Sequence, residues 1–173
     1  MLPPHLRRLI AADGWIADHP ANAGAHTERA SPAQRLVVLS ASEAAKWPAS
    51  RQTVVISIRG AQDRETPLSS RYRGVLRLTF EDLSESDDGE ESNTISVEQA
   101  AAVARFIREH ADARTLMLHC QMGVSRSRSV AAALCDVERR PYSYTAVNDP
   151  VYRRVRAALE RERVREVART QGQ

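Results

Sequence analysis

Apolar residues in this chain fall into short runs separated by charged stretches, and the runs differ in period. Arg35-Leu36-Val37-Val38-Leu39-Ser40, Thr53-Val54-Val55-Ile56-Ser57-Ile58, Gly74-Val75-Leu76-Arg77-Leu78-Thr79-Phe80 and Thr115-Leu116-Met117-Leu118 are rich in β-branched or branched aliphatic side chains. Runs of that length predict strands, and those that are apolar without alternation suit a sheet covered on both faces. Between them the period lengthens. Ser42-Glu43-Ala44-Ala45-Lys46 opens a short helix. Ser96-Val97-Glu98-Gln99 has the spacing of a capping box, ahead of an amphipathic helix carrying Val103, Phe106 and Ile107. Ser127 to Val137 reads as an alanine-rich helix, and Asp149 to about Ala168 as a long one with Tyr152, Val155 and Leu159 on one face and alternating Arg and Glu on the other. Strands separated by helices predict an α/β fold, a mainly parallel central sheet flanked by helices on both faces. Residues 1–32 mix Pro3, Pro4, Gly14, Pro20, Gly24 and Pro32 with alanine and charge. They read as a loosely structured N-terminal extension with at most one short helix near Leu6 to Ala12, and residues 33–173 as the folded domain.

The last predicted strand meets its helix through His119-Cys120-Gln121-Met122-Gly123-Val124-Ser125-Arg126-Ser127. At such a strand-to-helix turn the first free N–H groups of the helix converge, and with the positive end of its dipole they favour an anion. A thiol at the floor of that site is ordinarily mostly protonated at neutral pH, but a helix N-terminus and a neighbouring arginine favour the thiolate. Arg126 can hold two phosphoryl oxygens at once with its planar fork, which lysine cannot do. Gly123 allows the backbone conformation a tight anion loop requires. The loop therefore predicts phosphate chemistry.

This constellation resembles the His-Cys-x5-Arg-Ser/Thr signature of the cysteine-based protein tyrosine and dual-specificity phosphatases, and matches it at every defining position. The resemblance implies a compact dual-specificity-phosphatase-like catalytic domain over residues 33–173, working through a phosphocysteine intermediate without metal or other cofactor. It implies Cys120 as nucleophile and Arg126 as oxyanion ligand, with Gln121, Met122, Gly123, Val124 and Ser125 completing the substrate-binding loop. Ser127 corresponds to the hydroxyl that hydrogen-bonds the cysteine sulfur and eases its departure. His119 corresponds to the histidine that buttresses the thiolate through hydrogen bonds. Ser125 can also help retain the loop's shape, while Arg128 reads as a helix surface residue. Asn148, ahead of Asp149-Pro150, resembles an asparagine before the last helices of related phosphatases, and helix capping accounts for it equally well.

Protonating the leaving group needs an acid. Relatives place a general-acid aspartate just beyond the strand corresponding to Val75–Phe80, where Glu81-Asp82-Leu83-Ser84-Glu85 follows, and Asp82 fits that position best. Asp87 is the fallback in an acidic run that otherwise reads as a solvated loop. The loop variables contain no lysine, unlike the basic loops of phosphoinositide 3-phosphatases, which favours phosphorylated protein, phosphotyrosine above all, or small aryl phosphates as substrates. Phosphate, sulfate and vanadate are the expected site ligands. Three alternatives remain at this point. A rhodanese-like sulfurtransferase also sets a cysteine loop between strand and helix, although typically one residue shorter. Low-molecular-weight phosphatases and arsenate reductases carry the loop at the extreme N-terminus. A catalytically weak phosphate-binding module would keep the pocket without turnover.

Composition changes this picture little. A chain of 173 residues with 42% hydrophobic content supports one compact domain. Net charge is +3, nearly all the positive charge is arginine, and Lys46 is the one lysine. No basic stripe is interleaved with aromatics, so no specific nucleic-acid binding is expected. No stretch approaches a membrane span, and Met1 to Ile10 lacks the apolar core of a signal peptide, so a soluble cytoplasmic protein is expected. Cys120 and Cys135 are too few for a disulfide framework. Cys135 reads as a core helix residue, with a redox partnership to Cys120 as the lesser alternative. His5, His19, His26 and His110 are scattered, without a zinc-like arrangement.

Overall fold

A computed structural model describes residues 34–82, 94–142 and 148–171. Strands β1 (Arg35–Ser40), β2 (Thr53–Arg59), β3 (Gly74–Thr79) and β4 (Thr115–Cys120) alternate with helices α1 (Ala41–Ala44), α2 (Val97–Glu109), α3 (Arg126–Glu138) and α4 (Asp149–Gln171). The protein is of the α/β class: the four strands form one sheet in the order β1-β4-β2-β3, and every pair is parallel. β4, which carries the cysteine, is held on both sides, Cys120 facing Ser40 of β1 and His119 facing Ser57 of β2 in register. Because all strands run the same way, their carboxyl ends share one edge. The segments after Ser40, Arg59, Thr79 and Cys120 meet there, the edge at which open α/β sheets place their ligand sites.

Strand alternation divides the core into two layers. Leu36, Val54, Ile56, Ile58, Leu78, Leu116, Leu118 and Cys120 face a layer built with Val103 and Ile107 of α2, Val130 and Leu134 of α3, and Val155 and Leu159 of α4. The opposite layer holds Val37, Leu39, Val55 and Met117 beneath Ala44, Trp47 and Tyr72. Helices thus cover the first face. Among the described residues, the second is covered by the single turn α1 and by irregular chain that brings in Trp47, Leu68 and Tyr72.

Two helix N-termini carry capping boxes. Ser96 accepts the Gln99 N–H while the Gln99 side chain accepts from the Ser96 N–H, the reciprocal pair expected there. Ser40 and Glu43 form a second capping box that starts α1 one residue earlier than the sequence suggested. In α4, Val151, Val155, Ala158 and Leu159 are buried at helical spacing, while Tyr152 is only half-buried and sends its hydroxyl to Asp136 Oδ2 at 2.5 Å. α4 packs on both α2 and α3, which closes the first layer. Among the described residues, no helix is long and apolar enough to cross a membrane. The extension proposed for residues 1–32 lies outside the described residues.

Candidate active site

The loop after β4 is shaped by close backbone approach. Gly123 has φ +69°, and a Cβ there would lie 2.6 Å from the Leu39 carbonyl carbon and 2.7 Å from Ser40 N. Glycine is required on both counts, conformation and space. The Gln121 carbonyl accepts the Ala41 N–H at 3.2 Å, and Arg128 Nε donates to the Gly123 carbonyl at 3.0 Å. Arg128 therefore turns back onto the loop and braces it, where the sequence suggested a surface residue only. Gln121, Met122 and Val124 are exposed, with Met122 at 73% the most exposed large apolar side chain among the described residues.

Cys120 is 2% exposed at the floor of this loop. Burial alone would raise its pKa. The Ser127 hydroxyl donates to Sγ at 3.2 Å, the Ser127 and Gly123 backbone N–H groups add to it, and Arg126 contributes positive charge; together they outweigh burial and hold the thiol below its ordinary value. Arg126 is itself buried. Its Nη1 donates to the Phe80 carbonyl at 2.9 Å, Nη2 lies 3.5 Å from Asp63 Oδ2, and Nε, 3.9 Å from Asp82 Oδ2, makes no hydrogen bond to a described residue.

Asp82 stands at the rim. Its Oδ1 accepts from Ser125 Oγ at 2.5 Å and from Asn148 Nδ2 at 2.9 Å, and the side chain is 39% exposed. Ser125 is the N-cap of α3 but makes no side-chain cap bond. Asn148 does both jobs considered for it: Oδ1 accepts the Val151 N–H at 3.2 Å, capping α4, while Nδ2 reaches Asp82. Glu81 points elsewhere, accepting the Ala61 N–H at 2.7 Å. Asp87 lies outside the described residues.

His119 lies on the strand side of the loop. Adjacent strand residues face opposite sides of a sheet, so its ring sits in the layer of Met117 and not beside the Cys120 sulfur. It is 1% exposed, and its ring interacts with the Cys120 backbone, although neither ring nitrogen reaches full hydrogen-bond geometry with a described residue. Burial pushes its pKa down to about 4, with the Cys120 backbone opposing in part and Arg77 adding to the depression. His119 is thus a neutral core residue. Cys135 is fully buried in α3, and burial pushes its thiol up to about 11, which argues against a redox role.

One contact had no counterpart in the sequence reading. Asp63, in the turn after β2, accepts the Gly60 N–H at 2.8 Å and presents the same oxygen to Arg126. Among the described residues, no three His, Cys, Asp or Glu side chains are grouped so as to hold a metal ion. No family model, curated protein or solved structure matches the chain. What the fold and the site define is therefore a class: an all-parallel α/β protein with a cysteine–arginine loop at the carboxyl edge of its sheet.

Proposed function

We propose that the protein is a cysteine-dependent phosphate monoester hydrolase, acting on phosphotyrosine in proteins or on small aryl phosphates. The observation that carries the reading is the Cys120 sulfur, buried yet met by the Ser127 hydroxyl and loop amides, with the Arg126 guanidinium beside it. That set of donors suits a thiolate and a dianion together. A phosphoryl group above Cys120 would also give Arg126 Nε a hydrogen-bond acceptor, which no described residue supplies.

In the first step the thiolate attacks phosphorus in line, an S–P bond forms, the P–O bond to the alcohol breaks, and Asp82 gives its proton to the departing oxygen. In the second, water attacks phosphorus, Asp82 takes the water's proton, and the S–P bond breaks with the electron pair returning to sulfur. Ser127 donates to that sulfur as it leaves. The exposed Met122 and Val124 give the rim an apolar character that suits an aryl group. A catalytic thiolate works in a reducing compartment, which favours the cytoplasm.

The test is Cys120→Ser. Hydrolysis of an aryl phosphate is expected to fall by about four orders of magnitude or more while vanadate or sulfate still binds. A variant as active as the parent sinks the reading. Thiosulfate turnover without phosphatase activity would replace it with a sulfurtransferase, and tight oxyanion binding with no product burst in the wild type with a binding module.

A further inference from the structure

Asp82 belongs to a closed circuit of hydrogen bonds. Ser125 Oγ and Asn148 Nδ2 both donate to Asp82 Oδ1, and the same two residues are joined on their other side by Ser129. Ser129 Oγ donates to the Ser125 carbonyl at 2.9 Å and accepts the Asn148 N–H at 2.7 Å. The circuit ties together the segment after β3, the loop end of α3 and the start of α4. Ser129 is 0% exposed and Asn148 8%, so the Ser129 side of the circuit is shielded from competing water, while the Ser125–Asp82 bond is exposed.

Its donor directions are determined by chemistry. Asn148 Oδ1 already accepts the Val151 N–H, so the amide must present nitrogen to Asp82; a flipped amide would set oxygen against carboxylate and NH2 against N–H. Ser125 stands where a serine ordinarily caps its own helix, yet its hydroxyl goes to Asp82. Capping explains half of Asn148 and none of Ser125. Both donors converge on one carboxylate oxygen, and Oδ2 makes no hydrogen bond to a described residue.

We infer that Ser125 and Asn148 are positioning residues for Asp82, holding Oδ1 as a fixed acceptor so that Oδ2 is the oxygen that exchanges the proton with the leaving group and with water. This rests on the reading of Asp82 as the general acid. A carboxylate 39% exposed at the end of a strand would otherwise spread over its rotamers, and a misplaced acid loses rate without losing binding.

Steady-state kinetics on aryl phosphates of graded leaving-group pKa test this in the full chain. Asn148→Ala and Ser125→Ala are each expected to lower kcat about 10-fold on phenyl phosphate but less than about 3-fold on an activated nitrophenyl ester, with vanadate affinity unchanged. Asn148→Asp keeps the capping acceptor and removes the donor, so it should lose as much as Asn148→Ala while remaining folded. In an Asp82→Asn background, adding Asn148→Ala should cost nothing more, because the two act through one group. The same Asn148→Ala loss with or without Asp82, a loss independent of the leaving group, or full activity in Asn148→Asp would overturn the inference. An enzyme that depends on Cys120 but keeps its leaving-group dependence in Asp82→Asn would overturn it too, and leave the phosphatase reading standing. A wild type that hydrolyses no aryl phosphate removes both.

Discussion

The β4–α3 unit carries two chemically identical groups whose acidities are shifted in opposite directions. Cys120, where the strand runs into the loop, and Cys135, in the body of the helix, are both almost without solvent contact. Desolvation is the largest influence on each and acts upward in both. It prevails at Cys135, whose thiol rises to about 11, and is overcome at Cys120 by hydroxyl, amide and guanidinium donors. His119 shows the same rule with the opposite charge, since burial drives it to about 4 against a partial opposition from the Cys120 backbone. Burial is therefore the common condition of this core. What distinguishes the candidate nucleophile is donors aimed at it, which exist because the chain turns from strand to helix at that point.

The largest expected effect lies in the reactivity of the two thiols. At pH 7 a thiol of pKa about 11 is ionised to about one part in 10⁴, whereas one at the ordinary 9.0 reaches about one in 10² and Cys120 exceeds that. Iodoacetamide should therefore label Cys120 more than 100-fold faster than Cys135, as read by peptide mass mapping, and vanadate should protect Cys120. Equal labelling of the two in folded protein would break the comparison.

Next comes the acid limb of stability. His119 has a folded pKa of about 4 against an ordinary 6.5. The unfolded chain binds the proton first, so the contribution of neutral His119 is complete above pH 6.5 and is lost as pH falls through 4. Its size is about 3 kcal/mol at most. Urea unfolding between pH 7 and 4 should show the wild type losing about that much more than His119→Asn. Parallel profiles would mean that the ring finds a proton acceptor in the fold.

Periodic features were the legible ones. β1 and the start of α4 fall where the apolar runs put them, because each buries a face whose spacing is written locally. The cysteine loop was legible for a related reason: its chemistry is contained in contiguous residues. Asp63 was not, since it reaches Arg126 only when the turn after β2 and the start of α3 meet at the sheet's edge. Nor was the Ser125–Asp82–Asn148 circuit, whose members come from three separate segments. Ser40 looked like the end of a strand and is also a helix cap, a double use that strand periodicity hides. That His119 and Cys120 point to opposite faces of β4 follows from alternation alone.

The smallest expected effect sharpens the comparison most. Ser127→Ala removes the hydroxyl donor from Cys120 and leaves the loop amides, Arg126 and burial in place. If hydroxyl donation is a principal reason that Cys120 escapes the behaviour of Cys135, its alkylation at pH 7 should slow about 10-fold, the worth of one hydrogen bond to a charged acceptor. Cys135, in the same tube, should not change. Departure of the thiolate should suffer in step, so the variant is expected to show a rapid release of phenol followed by a slower steady state, seen by stopped flow. Unchanged alkylation would assign the shift to the backbone and Arg126. The lowered thiol would then be a property of the loop's conformation, with Ser127 serving only the second step.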